Sequence, residues 1–147
     1  MRNKIVFYSL FFLTTLTSCN KKYNYIYSPD KKQCITIITE NKVRYIIVGK
    51  HTDIPKTNFV KLDVSYRFNF ADEIVGCWKN DKYQWQIIND ETSILDNKLD
   101  TLKYKFYGLL PKDSLGIPSD TVFRNEPGSF YLGFDYGVIN DSYGVII

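Results

Sequence analysis

From position 25 onward, short apolar runs alternate with clusters of Gly, Pro, Asn and Asp, and this spacing predicts strands joined by turns. Ser28-Pro29-Asp30-Lys31 reads as a type I turn, because proline presets φ at its second position. Residues 33–39 and 43–49 read as a hairpin closed by Glu40-Asn41-Lys42. The clearest signal is at 60–70. There Val60, Leu62, Val64, Tyr66, Phe68 and Phe70 alternate with Lys61, Asp63, Ser65, Arg67 and Asn69, a period of two. A strand that long would reach about 36 Å, so a bend, a bulge or a shared position between two sheets is expected.

Residues 74–79 and 82–88 read as a second hairpin around a two-residue Asn80-Asp81 loop. That loop pairs Trp78 with Tyr83, Gly76 with Trp85 and Ile74 with Ile87. One face then carries Ile74, Trp78, Tyr83, Trp85 and Ile87, with Gly76 leaving room for the Trp85 ring. The other, more polar face carries Cys77, Lys79, Lys82, Gln84 and Gln86. Asp96-Asn97-Lys98 reads as a turn between strands at 92–95 and 99–107, with Leu102, Tyr104 and Phe106 sharing a face. Residues 108–128 hold three of the five prolines and read mostly as loop. Strands at 129–135, 136–139 and 143–147 close the chain. No long amphipathic pattern of helical period occurs. The sum is an all-β domain, an antiparallel β-sandwich or small β-barrel of roughly nine or ten strands with little helix.

The start of the chain is different. Arg2 and Lys4 precede a 12-residue stretch, 5–16, that is apolar apart from Ser9, Thr14 and Thr15. A permanent span needs roughly 20 apolar residues, so this stretch fits an export signal better than a membrane helix. It ends in Leu16-Thr17-Ser18-Cys19, an aliphatic residue and two small ones before a cysteine. This segment resembles the lipobox of bacterial lipoproteins, and the resemblance covers residues 1–19 only. It implies a signal peptide at 1–18, removal of that peptide, lipidation of Cys19 as the new N-terminus, and three acyl chains there. Asn20 stands where aspartate is the usual inner-membrane retention signal, so the resemblance points to the outer membrane. The expected organisation is a leader at 1–18, a lipidated tether at 19–24 and a single β domain at 25–147.

Loss of the leader removes Arg2 and Lys4 and leaves 17 basic against 16 acidic side chains. So even a balance gives no warrant for nucleic-acid binding. The mature part keeps 20 of the 24 aromatic residues, and these suit a pleated, half-buried surface.

Few residues are candidates for chemistry. The single histidine, His51, lies in a loop with no second histidine at ligand spacing, and reads as solvent-exposed. Asp72-Glu73 and Asp90-Glu91 are sequence neighbours, which a strand would point to opposite faces. Asp90 to Asp100 is acidic but lacks the glycine and terminal glutamate of a calcium loop. No catalytic residue, metal site or cofactor is expected. Cys34 and Cys77 remain after lipidation, and an oxidising envelope makes a disulfide between them the expectation. Asp113-Ser114-Leu115 and Asp120-Thr121-Val122 resemble a short O-glycosylation sequon of envelope proteins. The function this suggests is a non-catalytic binding module, held to a membrane through its N-terminal lipid and taking an envelope protein or glycan as partner. The alternative is an immunity lipoprotein, a small anchored domain that blocks a toxin directed to the periplasm.

Overall fold

A computed structural model describes residues 21–65, 73–78, 82–89, 93–108, 115 and 128–133. The leader, Cys19, residues 66–70 of the alternating run, Asn80-Asp81, Asp90-Glu91 and the expected strands beyond Gly133 lie outside the described residues. So do most of the proline-bearing segment and all but Leu115 of the two triplets.

Nine strands are described: β1 (Lys22–Tyr27), β2 (Cys34–Glu40), β3 (Val43–Val48), β4 (Phe59–Asp63), β5 (Glu73–Trp78), β6 (Trp85–Ile88), β7 (Ser93–Asn97), β8 (Tyr104–Tyr107) and β9 (Ser129–Gly133). They form two sheets, one in the order β1-β2-β3-β4-β7 and one in the order β8-β6-β5-β9. The described residues contain no helix, and the all-β expectation holds.

The first sheet is antiparallel throughout. Its β2–β3 turn is tight because Asn41 and Lys42 both take positive φ, 50° and 65°, the geometry that matches the twist of a hairpin. The proline turn closes as expected, with the Lys31 amide donating to the Ser28 carbonyl at 2.8 Å. The alternation from Val60 is real as far as Val64, since Val60, Leu62 and Val64 are all buried. β4 itself ends at Asp63, whose carboxylate accepts the Ser65 amide at 2.8 Å. The register against β7 shifts between Lys61 and Leu62, an irregularity on the long alternating run.

Three expectations are corrected. β1 begins at Lys22, so residues expected in a tether are already hydrogen-bonded to β2, with Lys22 opposite Thr39. In the second sheet Trp78 faces Trp85, Gly76 faces Ile87 and Val75 faces Ile88, a register two residues away from the expected one, with 82–84 outside the described strands. A shift of two preserves the face of every side chain, so hydrophobic patterning alone cannot detect it. Finally, β8 spans only Tyr104–Tyr107 and pairs parallel with β6, not back onto the preceding strand. Leu102 is therefore 84% exposed, standing in a turn before the strand.

The inward faces of the two sheets meet in one cluster. Ile26, Ile35, Ile37, Ile46, Val60 and Leu62 come from the first sheet, and Ile74, Trp78, Trp85, Ile87, Phe130 and Leu132 from the second. Full burial of each such side chain contributes about 1.5–3 kcal/mol. Trp78 lies 5.3 Å from the Phe130 ring and Trp85 lies 5.0 Å from that of Tyr104. Both indoles are thus in the interior, as the sorting of faces predicts. Gly76 makes room for a ring, but for that of Phe130 rather than Trp85. A β-carbon there would overlap the Phe130 ring and lie 2.7 Å from the Gln86 carbonyl oxygen. Because one of these obstacles is backbone, Gly76→Ala is expected to destabilise the domain by about 1–3 kcal/mol, read as a lowered melting temperature. An unchanged or raised Tm would contradict this packing.

Candidate functional site

Cross-strand partners share a face, so the register of the first sheet lays out its outward surface in rows. Tyr23, Ile38, Tyr45 and Lys61 form one row, and Tyr25, Thr36, Ile47 and Phe59 a second. Tyr27 and Cys34 form the third. Tyr23, Tyr25 and Tyr27 thus stand in line along β1. Tyr23 is 38% exposed, and Tyr25 and Tyr27 are half-buried. Lysines lie over this aromatic surface. The Lys21 ammonium is 5.2 Å from the Tyr23 ring, Lys61 is 5.7 Å from Tyr45, and Lys50 lies 5.6 Å from Tyr25 and 5.9 Å from Tyr27. A cation over a ring face is attracted by the negative charge of the π system. The Tyr27 hydroxyl beside Lys50 favours the charged ammonium and raises its pKa, as Tyr23 does for Lys21.

The segment after β3 is what brings Lys50 to this place. Gly49 takes φ of +89°, which turns the chain back over the outward face. Residues 49–53 then run beside β1 as a strap. Thr36, fully buried, fastens it from below: its hydroxyl donates to the Gly49 carbonyl at 2.6 Å and accepts the His51 amide at 3.0 Å. The tyrosines fasten it from the side, since Tyr25 donates to the His51 carbonyl and Tyr23 to that of Thr52, each at 3.2 Å. Asp53 meets Lys21 at 3.9 Å. His51 is half-buried, not solvent-exposed as its loop position suggests, and its Nε2 lies 3.0 Å from the Val48 carbonyl oxygen. Its geometry is that of a fastener in the strap.

The two cysteines are not brought together. Cys34 points outward from the first sheet beside Tyr27, and burial pushes its thiol pKa up. Cys77 points outward from the second sheet and is 2% exposed, grouped with Val75, Ile88, Tyr107 and Tyr131. Outward faces of two stacked sheets point in opposite directions across an interior about 10 Å thick, whereas a disulfide needs Cα atoms within about 7 Å. The expected bridge is therefore not formed, and the two thiols lie on opposite outer faces of the stacked sheets. The second sheet's outward face is also less polar than its sequence suggests. Gln86 is buried, accepting from the Tyr107 hydroxyl at 3.1 Å and donating to Cys77 Sγ at 3.8 Å. Burial, foremost, raises the Tyr107 pKa.

No group of three or more His, Cys, Asp or Glu side chains able to hold a metal ion occurs among the described residues. Arg44 went unnoticed in the sequence because its neighbours alternate like any strand. It occupies an inward position of β3, fully buried, with Nε 3.4 Å from the Thr39 hydroxyl. The tyrosine line was missed for another reason: residues 20–24 read as a polar tether. The signal that could have found it is Tyr23-x-Tyr25-x-Tyr27, a period of two that begins inside that segment.

Thr36→Val keeps the shape of the buried side chain and removes both hydrogen bonds to the strap. The expected result is a loss of about 1–3 kcal/mol with faster amide exchange at His51, measured by denaturation and hydrogen exchange. Exchange at wild-type rates would show that Thr36 does not hold the strap. Comparison of the chain with known families, curated proteins and solved structures gave no match.

Proposed function

We propose that this chain is a lipoprotein of the cell envelope, held by lipid on Cys19 to the outer membrane, whose β domain acts by binding a partner and not by catalysis. The anchor half of this reading is supported by Arg2 and Lys4, the short apolar stretch and Leu16-Thr17-Ser18-Cys19. Substituting Cys19 with alanine is expected to abolish fatty-acid labelling of the protein in cells, and continued labelling would refute the anchor.

The binding half is carried by one observation: Tyr25 and Tyr27 in line on one face, with the Lys50 ammonium within 6 Å of both rings. Tyrosine offers an apolar ring with a polar tip and loses little side-chain freedom on binding. A lysine above it supplies a donor and a charge. Together they suit a ligand with flat, weakly polar surfaces and acceptor groups, such as a glycan or an exposed protein segment of the envelope. The strap holds these groups in place beforehand, which reduces the ordering cost of binding.

The double variant Tyr27→Ser, Lys50→Gln tests the face. Recovery of the crosslinked partner from envelopes is expected to fall about tenfold relative to the wild-type domain, equivalent to roughly 1.4 kcal/mol. Circular dichroism of both proteins checks that the variant is folded. Equal recovery by two folded proteins would move the binding site elsewhere.

A further inference from the structure

The spacing between the anchor cysteine and the first strand is short enough to set the orientation of the whole domain. Only Asn20 and Lys21 separate Cys19 from Lys22, the first residue of β1. Three residues at full extension span roughly 11 Å. Lys22 is not part of a loose stalk, because it is in register with Thr39 on β2, and β2 is in register with β3. Whatever holds Cys19 therefore holds one end of the five-stranded sheet within about one Debye length of itself.

The chemistry of that end fits a lipid surface. Lys22 and Lys42 are exposed, Lys42 lying in the β2–β3 turn at the same end of the sheet, and Tyr23 is 38% exposed beside them. Lysine and tyrosine are the side chains that place an apolar body at an interface and a polar tip in the headgroups. Acidic groups are present here too. Asp53 pairs with Lys21 at 3.9 Å, Glu40 ends β2, and Lys42 helps hold the Asp63 carboxyl below its usual range, behind the larger effect of Ser65. The balance is that of a mixed surface, suited to a phospholipid layer rather than to a strongly charged polymer. The other end of β1, with the Ser28-Pro29-Asp30-Lys31 turn and exposed Lys32, lies beyond six residues of strand, about 20 Å farther away.

We propose that the corner of the first sheet made by Lys22, Tyr23 and Asn41-Lys42 rests in the phospholipid headgroup layer that holds the Cys19 lipid, with Pro29 and Lys32 directed away from the bilayer. This rests on lipidation of Cys19. It adds an orientation: the domain sits flush on the membrane, and Tyr25, Tyr27 and Lys50 stand on a face rising from that surface.

The test uses the lipidated mature protein on vesicles of phosphatidylethanolamine and phosphatidylglycerol. A membrane-impermeant amine-acylating reagent is applied and each lysine is read by peptide mass spectrometry. The reference is the unlipidated Cys19→Ala protein in solution. On vesicles, acylation of Lys22 and Lys42 is expected to fall about fivefold relative to Lys32, since headgroups exclude the reagent. A flexible Gly-Ser segment of roughly ten residues, inserted between Asn20 and Lys21, lengthens the tether by about 18 Å and is expected to restore both lysines. Uniform reactivity on vesicles to which the protein is bound would overturn the orientation while leaving the anchor intact. Persistent protection after the insertion would overturn the role of the short spacing. Failure of the wild-type protein to sediment with vesicles would overturn the lipid anchor, and the orientation with it.

Discussion

The interior shared by the two sheets is the interaction on which the other features depend. Alternate residues of β1 to β4 and of β5, β6 and β9 enter one cluster, and Trp78, Trp85 and Phe130 supply most of its bulk on one side. Aromatic burial is favourable enough to override local losses. The Nε1 atoms of both tryptophans are buried with no hydrogen-bond partner among the described residues, and an unmet indole N–H costs about 1–3 kcal/mol. A buried tryptophan removes about 150–250 Å² from water, equivalent to roughly 4–6 kcal/mol, so each ring remains favourable inside. Gly76 follows from the same crowding, for the Phe130 ring fills the space that a side chain would take.

Fixing the inward face fixes the outward one. Once Ile26, Ile35, Ile37 and Ile46 are committed to the interior, Tyr25, Tyr27, Cys34 and Thr36 must point away from it. Thr36 would then be a buried hydroxyl in need of partners, and the strap at 49–53 provides them through Gly49 and His51. The strap in turn delivers Lys50 to the tyrosines. The proposed binding face is thus a consequence of core packing passed outward through one threonine.

The proposed anchor and the proposed face are joined by β1. The strand starts close to Cys19 in sequence and carries the tyrosine line, so membrane attachment and recognition share a single rigid element. A long flexible linker would let the domain sample many orientations. Under the proposed anchor the short spacing would leave little freedom, and the proposed orientation follows from Lys22, the end of β1 nearest Cys19 in the chain.

Much of this architecture is legible in the sequence. The period of two places Val60, Leu62 and Val64 inside, the Pro29 and Asn41-Lys42 turns mark chain reversals, and the sorting of Ile74, Trp78, Trp85 and Ile87 puts both tryptophans in the core. Those features are local, set by side-chain alternation and turn chemistry. The register of β5 on β6 was not legible, because a slip of two residues leaves every face unchanged. Neither was the parallel pairing of β8 with β6, a contact between strands distant in sequence. The separation of Cys34 from Cys77 is of the same kind: the chain places two thiols in one domain, and only the stacking of the sheets turns them to opposite sides. By itself the sequence determined the all-β class, many of the inward residues and the lipobox-like start. Tertiary structure alone decided which strands became neighbours, and with that the meeting of Lys50 with Tyr25 and Tyr27, because long-range pairing depends on packing that no local pattern encodes.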